Sequence, residues 1–355
     1  MKDYKRLGDY IHEVDVRNTK LETTNILGLS MSKQFRASTS NIVGVDLSKY
    51  KIVDKNVFAF DTMSVIRVHK VPIAINETES RIIVSPAYVT FECIDSEKLD
   101  PRYLMMWFKR SEFDRYADFK SDAAVRGGYD WHELCETMIY IPSIEKQREI
   151  VAEYKTISKR IKNNEQIIAT LEDTAQTLYR KMFVDGIDKE NLPEGWRMGR
   201  LEDIIEIRNG KTITPSNGSF PIYGGNGIVG YTSDTNAKDV VIIGRVGINC
   251  GSLFLHYGEC FVNDNAMIAT LKNGNIGYLY LTLKQIDLNG QSEGSSQPLL
   301  TQSIINNQPC IIPSLNHIKE FECLVQIIYN NERLLEKENK KLTELQSLLL
   351  AKMGK

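Results

Sequence analysis

Long hydrophobic runs are missing from this 355-residue sequence: the opening MKDYKRLGDYIHEVD has no apolar core of leader type, and no stretch approaches the roughly 18 apolar residues of a membrane span. A cytoplasmic location is expected. Cysteine is sparse and scattered, at 93, 135, 250, 260, 310 and 323, with no CxxC pair and no compact framework, so buried thiols are expected rather than disulfides. Five histidines without an HExxH or a His/Cys cluster leave no expected metal site. Charge of one sign is lacking as well. Residues 1–142 hold 20 basic and 21 acidic side chains, and residues 186–313 hold 9 and 12. Neither segment has the broad positive balance of a protein that binds nucleic acid by phosphate neutralisation alone.

Glycine is concentrated where it invites a catalytic reading. YGGNGIVGY, from Tyr223 to Tyr231, spells GxGxxG through Gly225, Gly227 and Gly230. That fingerprint needs a preceding buried strand and a following helix, so that backbone N–H groups and the helix N-terminus face a pyrophosphate. Upstream, TITPSNGSFP is turn chemistry; downstream, no helical periodicity appears before the β-branched run at Val240–Ile243. The stretch reads as a glycine-rich turn between strands. Gly210-Lys211-Thr212 imitates the end of a Walker A motif, but the required first glycine is Ile205. No NPPY or DPPY methyltransferase tetrad occurs, and Glu153-Tyr154-Lys155 falls in a heptad segment, not on a nuclease strand.

What the chain does have is a repeat. IPSIEKQREIV from Ile141 aligns with IPSLNHIKEFE from Ile312, an offset of 171 that holds to Lys181-Met182 against Lys352-Met353. Each copy carries a heptad seam. The first runs Ile150, Tyr154, Ile157, Ile161, Asn164, Ile168, Leu171, Ala175, Leu178, Met182; the second runs Phe321, Val325, Ile328, Glu332, Leu335, Asn339, Leu342, Gln346, Leu349, Met353. About forty residues at 1.5 Å each predict helices on the order of 60 Å long. Arg6-Leu7-x-Asp9 matches Arg200-Leu201-x-Asp203 at a different offset, 194, so the first globular segment is longer by the 23 residues that separate the offsets. The expected organisation is globule 1–142, long helix 143–185, globule 186–313, long helix 314–355. Pairing the helices antiparallel gives a pseudo-two-fold internal repeat, and Asn164 and Asn339 are expected to fix the register of the coiled coil. Both globules carry short β-type runs, among them VFAF, SVIRVHKVPIAI, RIIVSPAYVTF, VVIIG and SLFLHYG, and a helical stretch at Pro101–Phe119. The fold class is α+β, with two mixed α/β globules of irregular sheet and the long helices between them.

The duplication, the IPS opening of each helix, LPEGW at Leu192–Trp196, RLEDIIEIRNGKTIT, PIYGGNGIVGY and IIGRVGINCGSLF at Ile242–Phe254 resemble the specificity subunits of Type I restriction-modification systems. IVSPAYVTF at Ile83–Phe91 and VRGGYDWHEL at Val125–Leu134 look like recognition-domain segments of the same family. The resemblance implies a non-catalytic chain with two target recognition domains, each reading half of an asymmetric, split duplex DNA sequence, and helices that fix the spacer. Implied partners are two methyltransferase (M) subunits, which bind S-adenosylmethionine, and restriction (R) subunits, which use ATP and Mg; the chain itself would bind no cofactor. M subunits would also supply the positive surface that this chain lacks.

Base reading favours forked or paired donors and acceptors on loops. In the second globule Lys211, Tyr223, Asn226, Arg245, Asn249 and Gln297 are the expected DNA contacts; in the first, Arg36, Arg67, Arg81, Tyr88 and Arg126. Arg126 and Gln297 share one slot under the 171 offset. The glycines of YGGNGIVGY are expected to let the backbone pass close to the DNA sugar-phosphate edge, with Tyr223 and Asn226 projecting toward it. The competing reading is a coiled-coil interaction scaffold with two peptide- or protein-binding globules.

Overall fold

A computed structural model describes residues 4–38, 44–123, 129–274, 276–291 and 298–354. The chain forms two compact units, residues 1–163 with 338–355 and residues 164–337. Each unit takes one globule and part of both long helices, Ile144–Phe183 and Leu315–Met353.

In the first unit Tyr4–Arg6 pairs antiparallel with Met138–Tyr140, closing the globule just before the first long helix. Between them lies an antiparallel sheet in the order Ile11–Glu13, Val89–Cys93, Phe58–Phe60, Ile73–Ile75. Its core is aromatic. Phe58 stacks on Phe91 at 4.8 Å, and Phe108 meets both rings edge-on. Phe108 ends the helix Pro101–Phe108, which starts where Asp100 accepts from the backbone N–H of Arg102 and proline takes a first-turn position that needs no donor. SVIRV does not continue the sheet as expected. Val65–Val68 is a single helical turn, anchored where Ser64 donates to Asp61 (2.6 Å) and ended by His69 in a left-handed conformation (φ 53°).

The second unit repeats the closure. Arg197–Arg200 pairs with Pro309–Ile312, again just before a long helix. One hydrogen bond carries both sequence offsets: Leu7 donates its N–H to Thr137 O (2.9 Å), and Leu201 donates to Gln308 O (3.0 Å). The helices Trp131–Cys135 and Gln302–Asn306 match at the 171 offset, with Asp130 and Thr301 as their N-caps. Inside this frame stands a six-stranded sheet in the order Ile205–Asn209, Ala266–Leu271, Ala237–Gly244, Leu253–Val262, Phe220–Gly224, Gly227–Thr232. A second core joins the sheet side to the helices through Tyr179, Phe183, Trp196, Tyr278 and Phe321.

Every heptad position named above is buried or half-buried. In the first unit Arg160 reaches Glu338 with two bonds of 3.0 and 3.1 Å, and Gln346 donates to Ser158 (2.7 Å), so position falls along one helix as it rises along the other: the pairing is antiparallel. All six cysteines are free, but only Cys250 and Cys260 are buried; Cys323 is exposed and the other three are intermediate, which corrects the expectation of uniformly buried thiols. Among the described residues no helix is long and apolar enough to cross a membrane.

Candidate nucleic-acid interface

Four connections of the second globule meet at one end of its sheet. Lys211 N–H donates to Val262 O (3.1 Å), Asn263 N–H to Tyr223 O (2.8 Å), and Arg245 N–H to Asn265 O (3.1 Å). Ser252 Oγ donates to Gly225 O (2.6 Å), and Thr212 Oγ1 to Asp264 Oδ2 (3.0 Å). These bonds bring Lys211, Asn226, Arg245 and Asn249 onto adjoining loops. Asn226 is exposed at the tip of a two-residue hairpin turn between the paired Gly224 and Gly227. Arg245 is half-buried, and its Nε has no partner. Residues just after the segment that holds Gln297 join the same cluster: Gly247 N–H donates to Pro298 O (2.9 Å) and Leu300 N–H to Arg245 O (2.9 Å). Gln297 itself, like Arg126, lies outside the described residues.

One expectation about YGGNGIVGY fails. Tyr223 does not project outward: it is 9% exposed and packs with Val240, Ile242, Cys260 and Val262. Its Oη lies 3.1 Å from His256 Nδ1, and burial pushes its hydroxyl up to about 12. A register irregularity between Ile222 and Tyr223 breaks simple alternation and turns consecutive side chains inward. A Cβ on Gly225 would sit 3.2 Å from Asn265 O, so the absent side chain admits the protein's own neighbouring loop. Gly227 takes the positive φ of the turn (88°), a conformation that favours glycine, and Asn226 does not need it.

In the first globule Arg36 is exposed on the ribbon of Leu27–Leu29 and Phe35–Ala37, its Nε donating to Leu29 O (3.4 Å). Tyr88 is half-buried against the same ribbon; burial and then Asp61 raise its hydroxyl, while Leu29 and Arg36 oppose the shift. Arg67 donates to Ser64 Oγ (3.4 Å), which is itself tied to Asp61 (2.6 Å). Tyr129 N–H, just past the segment with Arg126, donates to Thr62 O (3.3 Å). Arg36, Arg67 and Tyr88 therefore share one neighbourhood. Arg81 is occupied elsewhere. Its guanidinium pairs with Asp54 (2.7 Å) and with Glu22, which satisfies the fork a base would need.

Sequence reasoning passed over Ile248, 90% exposed on the turn Gly247–Asn249, and Thr212 and Asp264 beside Lys211. The signal lay in IIGRVGINCGSLF, where an apolar residue sits between two turn glycines. Asn164 is fully buried and Asn339 half-buried. Among the described residues no group of three or more His, Cys, Asp or Glu is placed to hold a metal.

Two globules share one closure frame, each on part of a long helix pair and each with polar side chains gathered on neighbouring loops. Residues 193–345 match the Type I restriction modification DNA specificity domain. The Type I restriction enzyme EcoprrI specificity subunit of Escherichia coli is 28% identical over 137 residues, 36% of this chain and 34% of that protein, so the match spans about a third of that relative's length. The MjaIX specificity subunit of Methanocaldococcus jannaschii is 23% identical over 294 residues, 71% of this chain and 67% of that one. The crystal structure of a Type I restriction-modification S subunit from M. genitalium shares the fold, with a TM-score of 0.64 at 16% identity over 100% of this chain and 96% of the other. The chain is similar to the specificity subunits of Type I restriction-modification systems, through the domain match over residues 193–345 and, in fold, along its length.

Proposed function

We propose that this chain selects the DNA sequence for a Type I restriction-modification complex. Each globule reads one half of a split, asymmetric target, and the length of the long helices sets the number of base pairs between the halves. The observation that carries this reading is the loop cluster of Lys211, Asn226, Arg245 and Asn249, where donors and acceptors suited to base edges adjoin and the Nε of Arg245 has no partner within the protein. The neighbourhood of Arg36, Arg67 and Tyr88 supports the same role for the first globule. Arg126 and Gln297, which share one slot in the repeat, belong to the same proposal. Asn164 and Asn339 fix helix register in it.

The helices dock two methyltransferase subunits, which hold S-adenosylmethionine; restriction subunits with ATP and Mg complete the assembly. Exposed apolar residues on the second long helix support docking: Leu324, Ile327 and Leu334 in one unit, Leu345 and Leu348 in the other. The corresponding residues of the first helix are Glu153, Thr156, Asn163, Thr174 and Thr177. A peptide-binding scaffold would use the same apolar residues but leaves the two loop clusters without a purpose. The test is selection from random duplex DNA by the chain co-purified with its methyltransferase subunit. Enrichment of a split motif with fixed spacing is expected; sequence-independent retention contradicts the reading.

A further inference from the structure

Under the YGGNGIVGY hairpin the second unit forms an open-sided cavity of about 480 Å³ that the DNA-reading role does not use. Its wall is aromatic, with Tyr223, Phe254, His256, Tyr257, Tyr280 and Tyr329. Three carboxylates complete the lining: Glu172 from the first long helix, Glu332 and Glu336 from the second. Three oxygens of this lining are sealed from solvent without a hydrogen-bond partner, Tyr257 Oη, Tyr329 Oη and Glu332 Oε1. Tyr329 is only 6% exposed. Buried polar atoms are nearly always satisfied, so three unpartnered oxygens grouped on one cavity mark a place suited to hydrogen-bond donors.

We propose that this cavity binds an alkylammonium group, the charged end of a lysine side chain or of a free polyamine. The chemistry fits on three counts. An ammonium carries three donors and no acceptor, matching oxygens that lack partners. Tyrosine faces attract a cation. The carboxylates repel one another: burial and then Glu172 and Glu336 push Glu332 up to about 7, and Glu336 is raised by burial and Glu172. The chain's own cations do not fill the role. Arg333 lines the cavity but donates to Asn330 (3.4 Å), and Lys284 lies over the Tyr280 ring (4.8 Å); neither forms an ion pair with the three carboxylates among the described residues. Because the lining joins strand Leu253–Val262, the hairpin and both helices, an occupant ties the recognition hairpin to the helix pair.

Titration of the full chain with n-butylammonium chloride by calorimetry at pH 8 and constant ionic strength tests this, with n-butanol as the uncharged control. Saturable binding of the amine and none of the alcohol is expected, weakened at least tenfold by Glu332→Gln and severalfold by Tyr329→Phe, which keeps the ring and serves if the first variant does not fold. No saturable amine binding, equal binding of the alcohol, or unchanged affinity in the folded variants overturns the proposal. Spermidine identifies the source: affinity more than tenfold above n-butylammonium marks a free polyamine, and comparable affinity marks a single side-chain ammonium.

Discussion

The two globules share a frame and differ in what it holds. Both are closed by a terminal ribbon, a buried leucine whose N–H bonds across to the far end, and a short capped helix before the long one. Inside, the first has four strands of three to five residues in its main sheet, and the second has six strands of up to ten. The difference separates two jobs. The frame positions a globule on the helices, and the interior is free to change the loops that we propose meet DNA.

The largest test of that comparison uses paired positions of the helix seam. Phe321 is sealed among Tyr179, Phe183 and Tyr278, whereas its counterpart Ile150 is half-buried. Phe321→Ala should cost about 3–5 kcal/mol in urea unfolding, and Ile150→Ala only about 1–2 kcal/mol; equal losses would show that the seams are energetically alike. Next comes Gln147, fully buried, which accepts from Asp100 N–H and donates to Lys98 O and Pro142 O, all at 2.9 Å. Its counterpart Ile318 is apolar and 3% exposed. Gln147→Ala strands buried backbone groups and should lower stability by about 2–3 kcal/mol. The caps sharpen the likeness instead: Asp130→Ala and Thr301→Ala should each cost about 1 kcal/mol, and a clear inequality would mean that the frames are not equivalent.

The last comparison is a pH slope carried by the second unit. Glu332 is raised from 4.5 to about 7, chiefly by burial and then by Glu172 and Glu336, with Lys284 opposing. A carboxyl raised on folding binds more protons folded than unfolded, so its contribution is present at acid pH and is lost as pH rises from about 4.5 toward 7. Denaturation midpoints of Glu332→Gln, compared with the native chain at pH 5 and pH 8, should lack that decline.

Much of the frame was legible because it is written in spacing. The heptads, the IPS openings and Arg-Leu-x-Asp each survive as a repeated interval, and a helix converts interval directly into a buried face. The loop cluster was partly legible: Lys211, Asn226, Arg245 and Asn249 stand on glycine-marked turns that sheet topology gathers at one end. Tyr223 was misread because a one-residue irregularity reverses which way a strand residue points. The ion pairs of Arg81 were not legible because its partners, Glu22 and Asp54, are 59 and 27 positions away and no local pattern announces them. The GxGxxG match was set aside on its flanking sequence, but what surrounds its glycines was not legible there: Gly225 faces Asn265 O, Gly227 the Phe254 ring and Gly230 Pro215.

The measurement that bears most directly on divided recognition is duplex selection by a variant of one globule only. With Arg245→Ala and Asn249→Ala in the methyltransferase-bound chain, one half of the selected motif should become degenerate, while the other half and the spacing stay as in the native complex. Equal degradation of both halves, or an unchanged motif, would contradict the assignment of one half-site to each globule.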